Sequence, residues 1–290
     1  MDARALRSNI EKWNKTGVAG FVALGSTGER VHLDEREHLH VIETAWASVP
    51  DNLAFIVGVG QQSTRATVSE VRQVGTAGAN AVLVITPHFY RGAMTPSALI
   101  NYYQTVADAS PVPMVLYNIP QNTGIALTAE TVARLSEHEN IVGIKDSSGD
   151  MINLMEIISL VPDDFAVMTG SGPLLYTALC AGARGAILAV GCAVPQMVVA
   201  IYNAVKTGNY ERARDVQRRL TPLARAMTRY GIGGLKAALD LRGYVGGDPR
   251  APLVAANEEA RQEIARLLAM FAPADGERRS DESDLVGAAP

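Results

Sequence analysis

Seven short apolar runs recur along the chain, at 20–25, 54–60, 81–86, 114–117, 141–146, 165–170 and 186–191. Runs of this length without polar alternation read as strands buried on both faces. Between several of them the apolar residues fall three and four apart, at 64–77, 96–109 and 128–136, which is helical spacing. Strand and helix in alternation define an α/β chain with a parallel sheet, because a parallel crossover consumes roughly a dozen residues and takes them as a helix. With 48% hydrophobic and 19% charged residues, the chain has enough apolar surface to bury such a sheet.

Two parallel architectures fit the pattern, a doubly wound sheet and a closed TIM-type (β/α)8 barrel. The first ordinarily carries GxGxxG after its opening strand. Here Gly58-Val59-Gly60-Gln61-Gln62-Ser63 and Gly170-Ser171-Gly172-Pro173 both miss that template, so the barrel is favoured. A closed barrel needs one strand more than the chain displays. The first segment, 5–15, sets Leu6, Ile10 and Trp13 at helical spacing, so the expectation is a barrel lacking its first strand, with a gap beside the strand at 20–25. After Gly191 the pattern is helical only, at 195–206, 210–227, 234–241 and 258–270. The expected organisation is a barrel over 1–192, a C-terminal helical appendage over 193–272 and a disordered tail over 273–290, where charges leave almost nothing apolar before Leu285.

Charge and cysteine content exclude several function classes. Twenty-six Lys and Arg against 30 Asp and Glu give a net charge of −4 with no basic run, which is no footprint for a phosphate backbone, so no nucleic-acid partner is expected. No apolar run approaches the roughly 20 residues that span a bilayer, and acidic Asp2 follows Met1, so neither a membrane span nor a secretory leader is expected. Cys180 and Cys192 lack CxxC spacing and read as small buried hydrophobes of a cytoplasmic protein.

Lysine is scarce, and of Lys12, Lys15, Lys145, Lys206 and Lys236 only Lys145 lies inside an apolar strand, Ile141-Val142-Gly143-Ile144-Lys145-Asp146-Ser147. A buried ammonium is costly, and losing its proton turns it into an amine nucleophile. Asp146 need not hold the charge, since successive strand residues point to opposite faces. The bland alternative is a strand-end lysine that snorkels to solvent. Tyr117 ends the preceding strand, so both side chains belong at the C-terminal mouth, where barrel enzymes keep their chemistry. A phenol there can shuttle protons for carbinolamine formation and dehydration, although a strand-end Tyr is often only structural. Gly25-Ser26-Thr27-Gly28-Glu29 follows an early strand and offers hydroxyls and free N–H groups suited to a carboxylate. His32, His38 and His40 with Glu35 and Glu37 lack HExxH spacing and read as a solvated helix face, so no metal is expected. The GxSxG elbow of serine hydrolases is absent.

Together YNIPQNTG around Tyr117, IVGIKDSSGD around Lys145 and GSTGE after an early strand resemble the dihydrodipicolinate synthase and N-acetylneuraminate lyase family, over residues 5–268. The resemblance implies a barrel with C-terminal helices, a homo-oligomer (dimer or tetramer), and a small-molecule 2-oxo acid substrate such as pyruvate held as a Schiff base without metal or other cofactor. By that likeness Lys145 is the imine-forming amine and Tyr117 the proton shuttle. Ser26 and Thr27 hold the carboxylate and relay protons, while Gly170 and Ser171 line the mouth. Within the family, TPHFYRG, GIKDSSGD and GYVGGDPRAPL look most like 4-hydroxy-2-oxoglutarate aldolase, with Ser147 matching a serine of the site.

Three departures stand out. Asn122 occupies the position where the lysine-precursor synthases carry an arginine for the second substrate's carboxylate, which disfavours dihydrodipicolinate synthesis. Phe89, with Tyr90 beside it, replaces a tyrosine that many members lend across the subunit boundary to the relay. The family's opening Thr-Pro-Phe type strand has no counterpart here, in keeping with the strand count. The expected function is therefore a class I aldolase, with dihydrodipicolinate synthase and a non-catalytic 2-oxo acid-binding barrel as alternatives.

Overall fold

The computed structural model describes residues 1–271, so the expected tail at 273–290 lies outside the described residues. The chain opens on helix α1 (Ala3–Trp13), whose first turn is capped by the Asp2 carboxylate accepting from the N–H groups of Arg4 and Ala5. Strands β1 (Gly20–Ala23), β2 (Ala54–Val59), β3 (Ala81–Ile85), β4 (Met114–Asn118), β5 (Ile141–Asp146), β6 (Ala166–Thr169) and β7 (Gly185–Ala186) follow in order. They form one parallel sheet in which each strand pairs with the next in sequence.

Crossover helices start on polar caps: α2 (Glu35–Trp46) on a capping box of Asp34 and Glu37, α3 (Thr64–Thr76) on Ser63, and α4 (Pro96–Ala109) on Thr95. The turn α5 (Pro120–Thr123) and helix α6 (Ala129–Leu135) link β4 to β5. Helix α7 (Met151–Leu160) precedes β6, and α8 (Leu175–Cys180) precedes β7.

Side-chain alternation divides the sheet into two faces. Val82, Val84, Leu116 and Ile144 are fully buried against helix residues such as Tyr103, Leu135 and Ile157. On the other face Leu83, Val115 and Tyr117 form a separate buried cluster with Val22, Ile56 and Met168 around it. Tyr117 therefore points away from the helices, into the sheet's own concavity of apolar side chains.

The last apolar run departs from its expected form. Instead of a strand over 186–191, pairing ends at Ala186, and the chain turns into the short helix α9 (Val190–Ala193). Among the described residues β7 has β6 as its single neighbour, and with no partner there on the other side nothing holds a longer extended segment.

Then come α10 (Pro195–Lys206), α11 (Tyr210–Leu241) and α12 (Glu258–Ala269). The two helices expected at 210–227 and 234–241 are the arms of α11, bent at Gly231, whose φ of 58° and ψ of −147° are non-helical. A second buried cluster, with Leu220, Leu223, Ala238 and Ile264, joins these helices to Leu175 and Val190.

Candidate active site

Lys145 and Tyr117 are direct Cα partners in the β4–β5 register. The two side chains share a face, and Lys145 Nζ stands 4.3 Å from the centroid of the Tyr117 ring. Lys145 is only 9% exposed and Tyr117 4%, so both side chains are buried, the lysine's nitrogen against a π face. It has no ion-pair partner among the described residues. Asp146 turns to the opposite face, where it bonds Asn118 and Ser148.

The turn after β1 reaches the same place. Ser26 lies in a 3-10 turn, Ser26–Gly28, and its hydroxyl is 3.3 Å from the Tyr117 phenol oxygen, close enough for a proton to pass between them. Thr27 is the next residue of that turn and is half-buried.

From β6 comes Gly170, whose N–H donates to the Asp146 carbonyl at 2.6 Å. A Cβ at Gly170 would collide with Ser147 Oγ and lie 3.1 Å from Lys145 Cε, so only glycine leaves the serine and the lysine stem side by side. Ser171 is half-buried, its N–H held by Thr169 Oγ1.

The remaining expected site residues are more exposed. Asn122 projects from α5, a turn secured where Gln121 donates to the carbonyls of Ser147 and Ser148. Phe89 and Tyr90, 74% and 73% exposed, pack edge to face at 5.0 Å on a loop that Gln62 Oε1 grips through the N–H groups of His88 and Phe89.

Several neighbours escaped the sequence reading. Cys192, expected to be merely a small buried hydrophobe, is half-buried; desolvation pushes its thiol up to about 11 and Lys145 opposes that shift, which puts the two groups in one neighbourhood. Cys180 is exposed, contrary to expectation, because it ends α8 on the outward side. Thr86 follows β3 fully buried, and its hydroxyl has no hydrogen-bond partner among the described residues.

Arg30 and Glu70, far apart in sequence, form a largely buried ion pair whose carboxylate also accepts from Gly60 N–H. Arg30 of this pair lines a cavity of about 300 Å³, together with Ser26, Tyr117, Val31 and His88. Arg91 lies across Gly124 at the end of α5, its Nη1 3.1 Å from where a Cβ would stand. The His38 ring nitrogen is hydrogen-bonded to the Arg30 carbonyl at 2.9 Å, and Glu37 serves the α2 cap.

A strand lysine kept dry beside a phenol and a hydroxyl is the equipment of a Schiff-base-forming lyase, and the chain is an enzyme of that class. Residues 1–270 match the model of the dihydrodipicolinate synthetase family, and the chain belongs to it. It is 35% identical over 283 residues to the 4-hydroxy-tetrahydrodipicolinate synthase of Methanothrix thermoacetophila, covering 96% of this chain and 94% of that protein. The enzyme of the same name from Archaeoglobus fulgidus is 35% identical over 271 residues, covering 92% and 91%. The crystal structure of dihydrodipicolinate synthase from Thermotoga maritima superposes with a TM-score of 0.90 at 31% identity, covering 93% of this chain and 92% of that one.

These relatives overturn the expectation of a 4-hydroxy-2-oxoglutarate aldolase, because they are named synthases. That expectation leaned on Asn122 as a missing positive charge, yet Arg91 lies over the same turn from another part of the chain. Among the described residues no helix is long and apolar enough to cross a membrane.

Proposed function

We propose that the chain is a 4-hydroxy-tetrahydrodipicolinate synthase, joining pyruvate to an amino-aldehyde acid, aspartate semialdehyde, through an imine on Lys145. The observation that carries this reading is the buried Lys145 amine in register with Tyr117, whose phenol is 3.3 Å from the Ser26 hydroxyl. Lys145 Nζ attacks the pyruvate ketone, the carbinolamine loses water to give an iminium, and the iminium acidifies the methyl carbon so that the Tyr117 relay accepts a proton from it, leaving an enamine. The enamine carbon attacks the aldehyde. The amine of the second substrate then closes the ring and releases Lys145.

Tyr117, with Ser26 and Thr27, moves the protons of carbinolamine formation and dehydration. The Ser26–Thr27 turn and Ser147 hold the pyruvate carboxylate, beside Gly170 and Ser171. The product is a dicarboxylate, so the site needs a second anion receptor, and Arg91, lying across the turn of Asn122, supports that role. Phe89 and Tyr90, exposed together, support a homo-oligomer in which one copy's aromatic pair meets the partner's site.

We further infer that the seven strands are a (β/α)8-type barrel short of the strand between β7 and β1, with the division near residue 192 separating it from the C-terminal helices. Among the described residues each of β1 and β7 has one neighbour, which supports this. Two free cysteines support a reducing, cytoplasmic setting.

The test is borohydride reduction with pyruvate, which adds about 72 Da to Lys145 if the imine forms. The Lys145→Ala chain should take up none. A folded wild-type chain without the adduct overturns the imine. An adduct without consumption of pyruvate when aspartate semialdehyde is added overturns the synthase.

A further inference from the structure

We propose that Asn118 and Asp146 form a buried clamp that positions Lys145 against Tyr117, making them positioning residues for the imine chemistry. The proposal rests on the reading of Lys145 as the imine-forming amine.

The β4–β5 register does not run true from its start. Met114 pairs with Ile141, but Val115 pairs with Gly143, so Val142 is left over as a bulge. The alignment that sets Tyr117 opposite Lys145 is therefore not inherited from the beginning of the two strands. It has to be held at their C-terminal end.

One residue past the reacting pair, Asn118 and Asp146 are Cα partners. Alternation turns their side chains to the helix-facing side, among Leu116 and Ile144. Asn118 is fully buried and Asp146 3% exposed. Asn118 Nδ2 donates to Asp146 Oδ1 at 2.6 Å, and Asn118 Oδ1 accepts from the Leu127 N–H at 3.0 Å. Ser148 Oγ donates to Asp146 Oδ2 at 2.7 Å, and the Ser148 N–H reaches Oδ1 at 3.4 Å.

Two backbone bonds complete the lock. Ser147 N–H donates to the Asn118 carbonyl at 2.8 Å, and Gly170 N–H to the Asp146 carbonyl at 2.6 Å. The ends of β4, β5 and β6 are thus tied in the segment that carries Tyr117, Lys145, Ser147 and Gly170. Burial raises the acid's pKa while Ser148 and Asn118 pull it back. A buried acid is a costly way to fill this space, since apolar side chains pack there at no desolvation penalty, but it supplies directional bonds that apolar contacts lack.

The test compares wild type, Asn118→Asp, and the swapped pair Asn118→Asp with Asp146→Asn. The readouts are the rate of borohydride-trapped pyruvate adduct, kcat and KM for pyruvate, and the melting temperature. Asn118→Asp sets two acids face to face and should slow trapping and kcat by about 100-fold, as expected for a displacement near 1 Å, with KM for pyruvate changed no more than about threefold. The swapped pair restores an amide-to-carboxylate bond and should bring trapping back to within about threefold of wild type. A merely structural role lowers the melting temperature without that split between kcat and KM.

Wild-type trapping in a folded Asn118→Asp chain overturns the clamp, as does a swapped pair that regains stability but not trapping. If Asn118→Asp does not fold, Asp146→Asn is read in its place, with a fall of about fivefold expected and none overturning the clamp. A wild-type chain that forms no adduct overturns the imine reading itself, a result distinct from an unimpaired variant beside a reactive wild type.

Discussion

The middle of the sheet and its two edges are built differently. Every residue of β4 is buried, and in β5 the bulged Val142 is the one exposed position. In β1 and β7 every residue is only half-buried. The middle is covered on both faces and paired on both sides, so a side chain there has one place to be. The edges lean on elements outside the sheet. Trp13 of α1 donates its indole N–H to the Cys192 carbonyl at 2.8 Å, stacks on Tyr244 at 5.3 Å and lies 6.4 Å from Phe21 of β1. Asn9 exchanges two hydrogen bonds of 2.9 Å with the Val245 backbone. The contrast teaches that Tyr117 and Lys145, the pair proposed to react, sit where the sheet is most buried, while the open side is left to a few aromatic and polar contacts from distant segments.

The largest effect that would break this comparison is chemical. Tyr117→Phe keeps the ring that faces Lys145 and removes the hydroxyl near Ser26, so kcat should fall about 100-fold while the melting temperature stays near wild type. A loss of stability matching the loss of rate would mean that Tyr117 serves packing.

At the edge the expected effect is on stability. Trp13→Ala removes an aromatic stack and a hydrogen bond and should cost about 3 kcal/mol in denaturant unfolding. Amide exchange should quicken first in β1, with β4 and β5 still exchanging through global unfolding. Uniform acceleration across the sheet would erase the distinction between edge and middle.

A smaller effect is tied to pH. The side-chain hydrogen bond from Arg250 and the Asp34 N–H hold Glu37 down at about 2 from its usual 4.5. A depressed carboxylate contributes stability that is complete above pH 4.5 and lost as pH falls towards about 2. Arg250→Ala should flatten the stability profile in that window, and an unchanged acid limb would count against the link. Asp146 carries the opposite sign: its raised value makes its contribution greatest below 3.8 and lost as pH rises through the folded value.

The smallest effect concerns labelling. Exposed Cys180 should alkylate at pH 8, whereas Cys192, pushed up to about 11, holds about one thiolate in a thousand and should resist. Trp13→Ala should speed labelling of Cys192 by loosening the edge beside it. Equal labelling of both thiols in the wild type would refute the raised Cys192 thiol.

Local pattern was enough to read the order of strands and helices, because each strand is a continuous apolar run and each main crossover helix begins on a polar cap. It was also enough to single out Lys145 and Tyr117, since a lysine inside an apolar strand and a tyrosine at the end of the one before it are visible without a fold. The end of the last strand was misread, because strand length depends on partners that no local pattern reveals.

The sequence by itself determined which elements form and which side chains are rare enough to carry chemistry. Tertiary structure alone decided the bulge that sets Tyr117 opposite Lys145, the Asn118–Asp146 bond behind them, the Arg30–Glu70 pair and the placing of Arg91 over the turn of Asn122. Each joins residues roughly 30 or more apart, and contacts of that range are set by register and packing, which propensity and periodicity do not encode.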